Sequence, residues 1–422
     1  MSDMIEQNTD LAESSQGTVP SPQSAVEVPS YTPRRTISQL LRSDLGFVPV
    51  LVTLIVVVVF FTIVSDGIFL SPENFTNLAF QIANIGIIGL GSILVLLLGE
   101  IDLSAAAVSV CCAVVMAVMT ERMGFPSGIA IPAALLTGAL IGALNGFFVA
   151  ILRIPSFIVT LAASIAYSGL LLRLLNGQST LIITDPFIDA IAGTPTSFLT
   201  DTLGIGLPTI AVLLYIASQV YTYLTRKRAG LRTTSPLMLG LRCGLAFVLV
   251  EGAVALFESS SGVPYSTAIL FGLIIIFWLI LTKTPFGRHV YAVGGNAEAA
   301  RRAGINVVAL RIVIFALCST LAAAAGIVNA SRGLSVASQV SPSLLLDAIG
   351  AAVIGGVSLF GGRGSVWAIV LGVLIIGSLE NGLALKSQGS DIKQIVEGLV
   401  LVLAVTSDAL LRRFQARSRS GK

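Results

Sequence analysis

Residues 283–306, KTPFGRHVYAVGGNAEAARRAGIN, form a basic polar island between two long apolar runs, Tyr265–Thr282 and Ile312–Ala330. Turning a chain round between two membrane spans needs only a short loop, so this island does more than connect. Pro285-Phe-Gly-Arg288 reads as a turn and Gly294-Gly295 as a break. Asn296 reads as an N-cap, because a short amide side chain accepts from the unpaired N–H groups of a first helical turn. Glu298-Ala-Ala-Arg-Arg302 then suits a short helix, with acid early and base late as the helix dipole favours. A short helix held on the cytoplasmic face by two spans is what an integral subunit needs to dock on a soluble motor. A simple basic cytoplasmic loop is the alternative.

Composition sets the class. At 55% apolar, 11% charged residues and a mean hydropathy of +0.93, the chain is a polytopic membrane protein, because soluble domains carry about a quarter charged residues. The net charge of +3 is no nucleic-acid signal, since its distribution follows membrane topology. Cys111, Cys112, Cys243 and Cys318 fall in or beside apolar runs, without zinc spacing, and read as small packing residues. His289 is the single histidine, which argues against a histidine-based metal site or catalytic triad, and no metal or cofactor is expected. Residues 1–45, rich in Ser, Pro, Glu and Gln, read as a disordered cytoplasmic tail, and the first apolar run starts too late for a signal peptide.

A helix needs about 20 apolar residues to cross the hydrocarbon. Candidate spans are 46–65, 78–98, 105–120, 128–151, 157–175, 207–224, 241–257, 265–282, 312–330, 344–360, 365–381 and 394–411. The stretch 105–120 is short and 344–360 and 365–381 are glycine-rich, so the fold class is an all-α polytopic membrane protein of about 10–12 transmembrane helices. The membrane domain is expected over 46–411, with a cytoplasmic loop at 283–311 and a basic cytoplasmic tail at 412–422. With the N-terminus inside, 20 of the 25 Lys and Arg residues fall on the inner side. That split follows the positive-inside rule and puts both termini and the 283–306 island in the cytoplasm. The outer side receives the longest connection, 176–206, which either folds over the outer mouth or is a passive surface loop.

Gly99-Glu-Ile-Asp-Leu-Ser104 sits between two apolar stretches. Charged groups at membrane depth are costly and face a cavity or a partner, so Glu100 and Asp102 are candidates to line a polar pathway and offer carboxylates to sugar hydroxyls. A short loop at the inner interface is the other reading. Arg153-Ile-Pro-Ser-Phe-Ile-Val-Thr160 combines an interfacial anchor with a proline at a helix start, where its missing N–H is harmless. The glycines of 349–364 permit either a broken helix beside a cavity or close helix packing. Gly142-Ala-Leu-Asn145-Gly146 is echoed by Gly377-Ser-Leu-Glu-Asn381-Gly382, either a trace of duplicated halves or repeated packing glycines. No GxxxxGK[ST] motif is present, so the chain is not expected to hydrolyse ATP or to be an enzyme.

Taken together, GEIDLS (99–104), NG (145–146), RIPSFIVTLA (153–162), TPFGRHVYAVGGNAEAARRAGINV (284–307) and AAVIGGVSLFGGRGSV (351–366) resemble the permease subunits of bacterial ABC sugar importers of the ribose/xylose/branched-chain type. The basic-looped span pair around 207–257 makes the chain more similar to xylose permeases than to the shorter ribose ones. Ala105-Ala106 and Trp367 depart from the usual pattern. The resemblance implies a pseudo-repeated permease fold in the bacterial inner membrane. It also implies a homodimer working with two copies of an ATP-binding subunit and a periplasmic sugar-binding protein, with the coupling helix inside Gly294–Gly304. Expected pathway residues are Glu100, Asp102, Ser104, Asn145, Ser156 and Asn381. Expected coupling residues are Gly294, Gly295, Asn296, Glu298, Ala299, Ala300, Arg301 and Gly304, with Ala297, Ala299, Ala300 and Ala303 as a small docking face. Membrane lipid is the other partner, and nucleic acid is not. The function expected is import of a monosaccharide, xylose or a related pentose, driven by a separate ATPase. An ion-coupled secondary transporter acting alone is the alternative.

Overall fold

The alternation of apolar runs and polar breaks becomes a helical bundle in the computed structural model, which describes residues 48–193, 197–231, 233–389, 391–396 and a few positions between 398 and 406. The expected tails, 1–45 and 412–422, lie outside the described residues, as does most of the last expected span. Fourteen helices are described: α1 (Val48–Val64), α2 (Pro72–Leu97), α3 (Ala105–Glu121), α4 (Ser127–Ala150), α5 (Ser156–Leu174), α6 (Pro186–Ala192), α7 (Asp201–Arg228), α8 (Pro236–Glu258), α9 (Tyr265–Lys283), α10 (Pro285–Gly295), α11 (Ala297–Arg302), α12 (Val307–Gly333), α13 (Pro342–Ile354) and α14 (Ala368–Leu385). Eight of them are long and apolar enough to cross a membrane: α2, α4, α5, α7, α8, α9, α12 and α14. Three shorter apolar helices, in α1, α3 and α13, occupy further expected spans. The expected span 344–360 is half helix, because α13 stops at Ile354 and a glycine-rich segment carries the chain on to α14.

The helices run between two ends of the bundle. One end gathers the 98–104 loop, the 151–155 loop, α10, α11 and the segment 355–367. The other holds a two-stranded antiparallel ribbon, in which β1 (Thr180–Ile182) pairs with β2 (Ser335–Ala337), and α6. Hydrogen bonds tie this second end together. Arg122 donates to the carbonyls of Leu174 and Leu175 and to Gln178, and the Ser331 hydroxyl donates to the Ile188 carbonyl. The first part of the long connection, 176–193, is therefore packed down rather than free, with α6 and β1 giving it structure of its own.

Helix α2 is the axis of the bundle, with 94% of its apolar window buried. Lipid offers little hydrophobic drive between helices, so close packing must hold them together, and small residues supply it. Gly138, Gly142 and Gly146 recur every four residues along α4, and a β-carbon at Gly142 would run into the carbonyl oxygen of Phe315 on α12. Gly326 of α12 meets the backbone of Ser109 on α3 in the same way. By contrast, α7 and α8 form a peripheral pair with little buried surface, joined to α2 through Phe75 and Phe257 at a ring distance of 4.9 Å. Exposed Ile63, Leu140, Ile165, Leu214 and Val248 line the outer faces, an apolar surface that belongs in lipid.

Candidate functional site

Three motif segments far apart in sequence converge at the α10/α11 end. After α2 the chain turns at Gly99, whose φ of 78° is open to glycine at little cost. It meets the segment 360–364 there, where the Gly362 N–H donates to the Leu97 carbonyl at 2.9 Å. Gly294, near the end of α10, packs on the same carbonyl so closely that a β-carbon would run into it. The Tyr291 hydroxyl of α10 donates to the Gly364 carbonyl at 3.0 Å, and burial pushes that phenol above its ordinary range, so the donor stays protonated. GEIDLS, the polar island and GGRGS thus share one junction, which no pairwise reading of the sequence joins.

The polar island is helical almost throughout. Thr284 caps α10, its hydroxyl accepting from the Gly287 N–H, and Pro285 occupies the first helical position, where no N–H is needed. The expected turn at Pro285–Arg288 is therefore corrected: Thr-Pro starts a helix here. The break expected at Gly294-Gly295 is corrected to Asn296, since both glycines are the last residues of α10; the N-cap at Asn296 and the short helix α11 are as expected, with the Asn296 Oδ1 accepting from the Ala299 N–H at 2.9 Å. Glu298 pairs with Arg301 at 3.5 Å and with Arg302 at 3.3 Å on the exposed side. Glu298, Ala299, Arg301, Arg302, Ala303 and Gly304 are exposed. Ala300 is 5% exposed and packs into the bundle, so the expected docking face is corrected to exclude it. Nothing in the composition AEAARR says which alanine points inward; the direction of α11 over the bundle decides that. A groove of about 390 Å³, bordered by Phe286, His289, Gly304, Asn306 and Leu310, runs beside α11.

Beneath the junction, residues 101–103 form a short non-helical segment clasped by α5. The Ile101 N–H donates to the Ser156 hydroxyl at 3.1 Å and the Leu103 N–H to the Thr160 hydroxyl at 2.9 Å. Helix positions i and i+4 lie about 6 Å apart, so one turn of α5 reaches two alternate residues of the loop. Asp102 points away from this clasp. Its Oδ1 accepts from the Ser104 N–H at 2.8 Å and the Ser104 hydroxyl at 2.6 Å, fixing the start of α3, with the Cys318 thiol of α12 beside it. The Asn145 amide donates to the Ser104 hydroxyl at 3.0 Å and accepts from the Tyr167 hydroxyl at 3.0 Å. Asp102, Ser104, Asn145 and Ser156 are all buried. Thr160 and Tyr167 complete this set and escaped sequence reading. Their spacing from Ser156 along one helix was visible, but nothing marked hydroxyls as partners for a loop.

Glu100 lies outside this network, paired with Arg311 at 3.0 Å on the border of a crevice. Asn381 is elsewhere. It sits on α14, accepting from Asn74 of α2 at 2.9 Å, while Gly382 is pressed against the ring of Phe61. Close helix packing occurs at both copies of the expected internal echo. The structure brings together four of the six expected pathway residues, places Glu100 beside them on the crevice and sets Asn381 apart.

A buried polar network under a loop junction, within a bundle of long helices faced by apolar side chains, is the architecture of a multi-pass membrane protein. The chain belongs to the family described as the branched-chain amino acid transport system permease component, which it matches over residues 74–405. It is 36% identical over 362 residues to the xylose transport system permease protein XylH of Haemophilus influenzae, covering 85% of this chain and 94% of that one. To the protein of the same description from Escherichia coli K12 it is 35% identical over 377 residues, covering 89% and 95%. The fructose import permease protein FrcC of Rhizobium meliloti is 30% identical over 397 residues, covering 93% and 94%. No solved structure matches the chain.

Proposed function

We propose that this chain is the membrane-spanning subunit of an ATP-binding cassette importer in the bacterial inner membrane, and that its cargo is xylose or a related pentose. The similarity to xylose permeases, along nearly the full length of both chains, is the observation that carries the substrate class. The chain supplies the pathway, and ATP is hydrolysed on a separate subunit. No observation favours an ion-coupled transporter acting alone. In this reading two copies of the chain form the pathway, two ATP-binding subunits dock on the exposed side of α11, and a periplasmic sugar-binding protein delivers the cargo. Both termini face the cytoplasm, as the charge split supports. Asp102, Ser104, Asn145 and Ser156 act on the pathway by fixing the loop that closes its α10/α11 end, Glu100 borders open space there, and Asn381 holds α14 against α2. A strain lacking its own xylose uptake, supplied with this chain, an ATP-binding subunit and a binding protein, should accumulate radiolabelled xylose in preference to hexoses. Equal accumulation without the ATP-binding subunit would refute the importer reading.

A further inference from the structure

The crevice beside Glu100, of about 430 Å³, is not explained by passage of a neutral sugar. Three arginines from three different elements border it: Arg153 from the α4–α5 loop, Arg301 from α11 and Arg311 from the second turn of α12. One carboxylate, Glu100, faces them, and it takes only the Nη2 of Arg311. The Nε of Arg311 is buried without a hydrogen-bond partner. Arg301 is also held, at 3.5 Å, by Glu298 on its own helix. Arg153 stands on a left-handed backbone, with a φ of 58°, a conformation that costs a non-glycine residue free energy and that the fold nevertheless retains. Val307 and Val308, the first two residues of α12, form another part of the wall. Asn306 caps the N–H of Ala309, so those of Val307 and Val308 are the unpaired donors at the positive end of a long helix.

Several guanidinium groups, an orphan buried Nε and a helix N-terminus around one cavity form a donor-rich, positively charged site, with Glu100 the one carboxylate on its border and Glu298 holding Arg301 from its own helix. Guanidinium forks and free backbone N–H groups match phosphate oxygens in both geometry and charge. We propose that the crevice binds a phosphate ester, bridging α11 to α12 and the α4–α5 loop. The remaining wall, Val149, Ala150, Ile154 and Pro155, is apolar and continues into the exposed Phe147, Phe148 and Leu152. That surface suits acyl chains, so an anionic phospholipid fits as well as a soluble sugar phosphate reaching the same arginines from water. Either ligand would steady the seat of α11, and the site does not depend on which sugar the protein carries.

The test uses the full-length permease purified in an uncharged detergent, with binding read by native mass spectrometry and by the thermal melting midpoint. Phosphatidylglycerol is compared with diacylglycerol, and ribose 5-phosphate with ribose, so that each arm differs chiefly in the phosphate. At least one phosphate-bearing probe should bind and raise the melting midpoint while its phosphate-free counterpart does not. The arm that responds identifies the source. Arg153→Gln and Arg301→Gln, at exposed positions, should each weaken that binding about tenfold, the loss expected for one charge-assisted contact. Because Arg311→Gln alone would orphan Glu100, it is read in the double variant Glu100→Gln/Arg311→Gln, which should also bind weakly. Binding of neither phosphate probe, or unchanged binding in the arginine variants, overturns the proposal. Loss of the ATP-binding subunit from the variants with phosphate binding unaltered would assign the arginines to an acidic surface of that partner instead.

Discussion

At the scale of single residues, the junction rests on hydroxyls placed to meet backbone donors. Thr160 accepts the Leu103 N–H in a buried position, and removing the acceptor leaves that donor without a partner. Thr160→Val should therefore destabilise the protein by about 1–3 kcal/mol, whereas Thr160→Ser, which keeps the oxygen, should melt close to wild type. The melting midpoints of both variants in detergent decide the matter, and loss in Thr160→Ser with Thr160→Val close to wild type would show that packing of the methyl group matters instead. Sequence reading picked out Asp102 as a charge between apolar runs, and Ser104, Asn145 and Ser156 through the motifs of the family resemblance. It missed Thr160 and Tyr167, because a threonine or tyrosine within a span has an ordinary explanation until its partner is known. Here the partners are a loop about 60 residues away and an amide on another helix.

At the scale of elements, α10 and α11 show which signals are local. The Asn296 cap and the acid-to-base order of α11 depend on nearest neighbours along the chain, and both were legible, while the break expected at Gly294-Gly295 falls one residue later, at Asn296. Which side of α11 is free was not, since a six-residue helix presents small side chains all round and only its seat on the bundle distinguishes them. The two alanines should consequently behave differently. Ala299→Glu adds a charge on the exposed side, and should leave membrane abundance intact while abolishing co-purification with the ATP-binding subunit. Ala300→Glu forces a carboxylate into the bundle without a partner and should lower abundance itself. Quantitative immunoblots of membranes, beside pull-downs of the ATP-binding subunit, separate the two outcomes. Similar behaviour of both variants would mean that α11 docks in some other orientation.

At the scale of the whole molecule, the alternating apolar runs and the uneven placement of Lys and Arg constrain topology before any contact is known. A reporter fused after Lys422 and one inserted between Pro186 and Ala192 should report opposite sides of the membrane, cytoplasmic for the first. Reports from the same side would break the even span count. Among the described residues, eight long apolar helices with three shorter ones fall within the expected 10–12, and most of the last expected span, 394–411, lies outside them. The expected span 344–360 shows where that count is least secure. Hydropathy sums side chains without regard to the backbone, and the glycines after Ile354 turn the chain aside to reach Leu97 and Gly294.

The sequence by itself determined the fold class, the approximate spans, the cap of α11 and the family, because these follow from side-chain hydrophobicity, from charge distribution and from motifs read within a few residues. Only the tertiary structure decided that GEIDLS, GGRGS and the polar island meet at one junction, that Ala300 faces inward and that three distant arginines share a crevice. Such contacts depend on how α2, α4, α5 and α12 cross. In lipid those crossings are set by backbone close approach at glycines such as Gly142 and Gly326, a matter of shape that hydropathy along the chain does not encode.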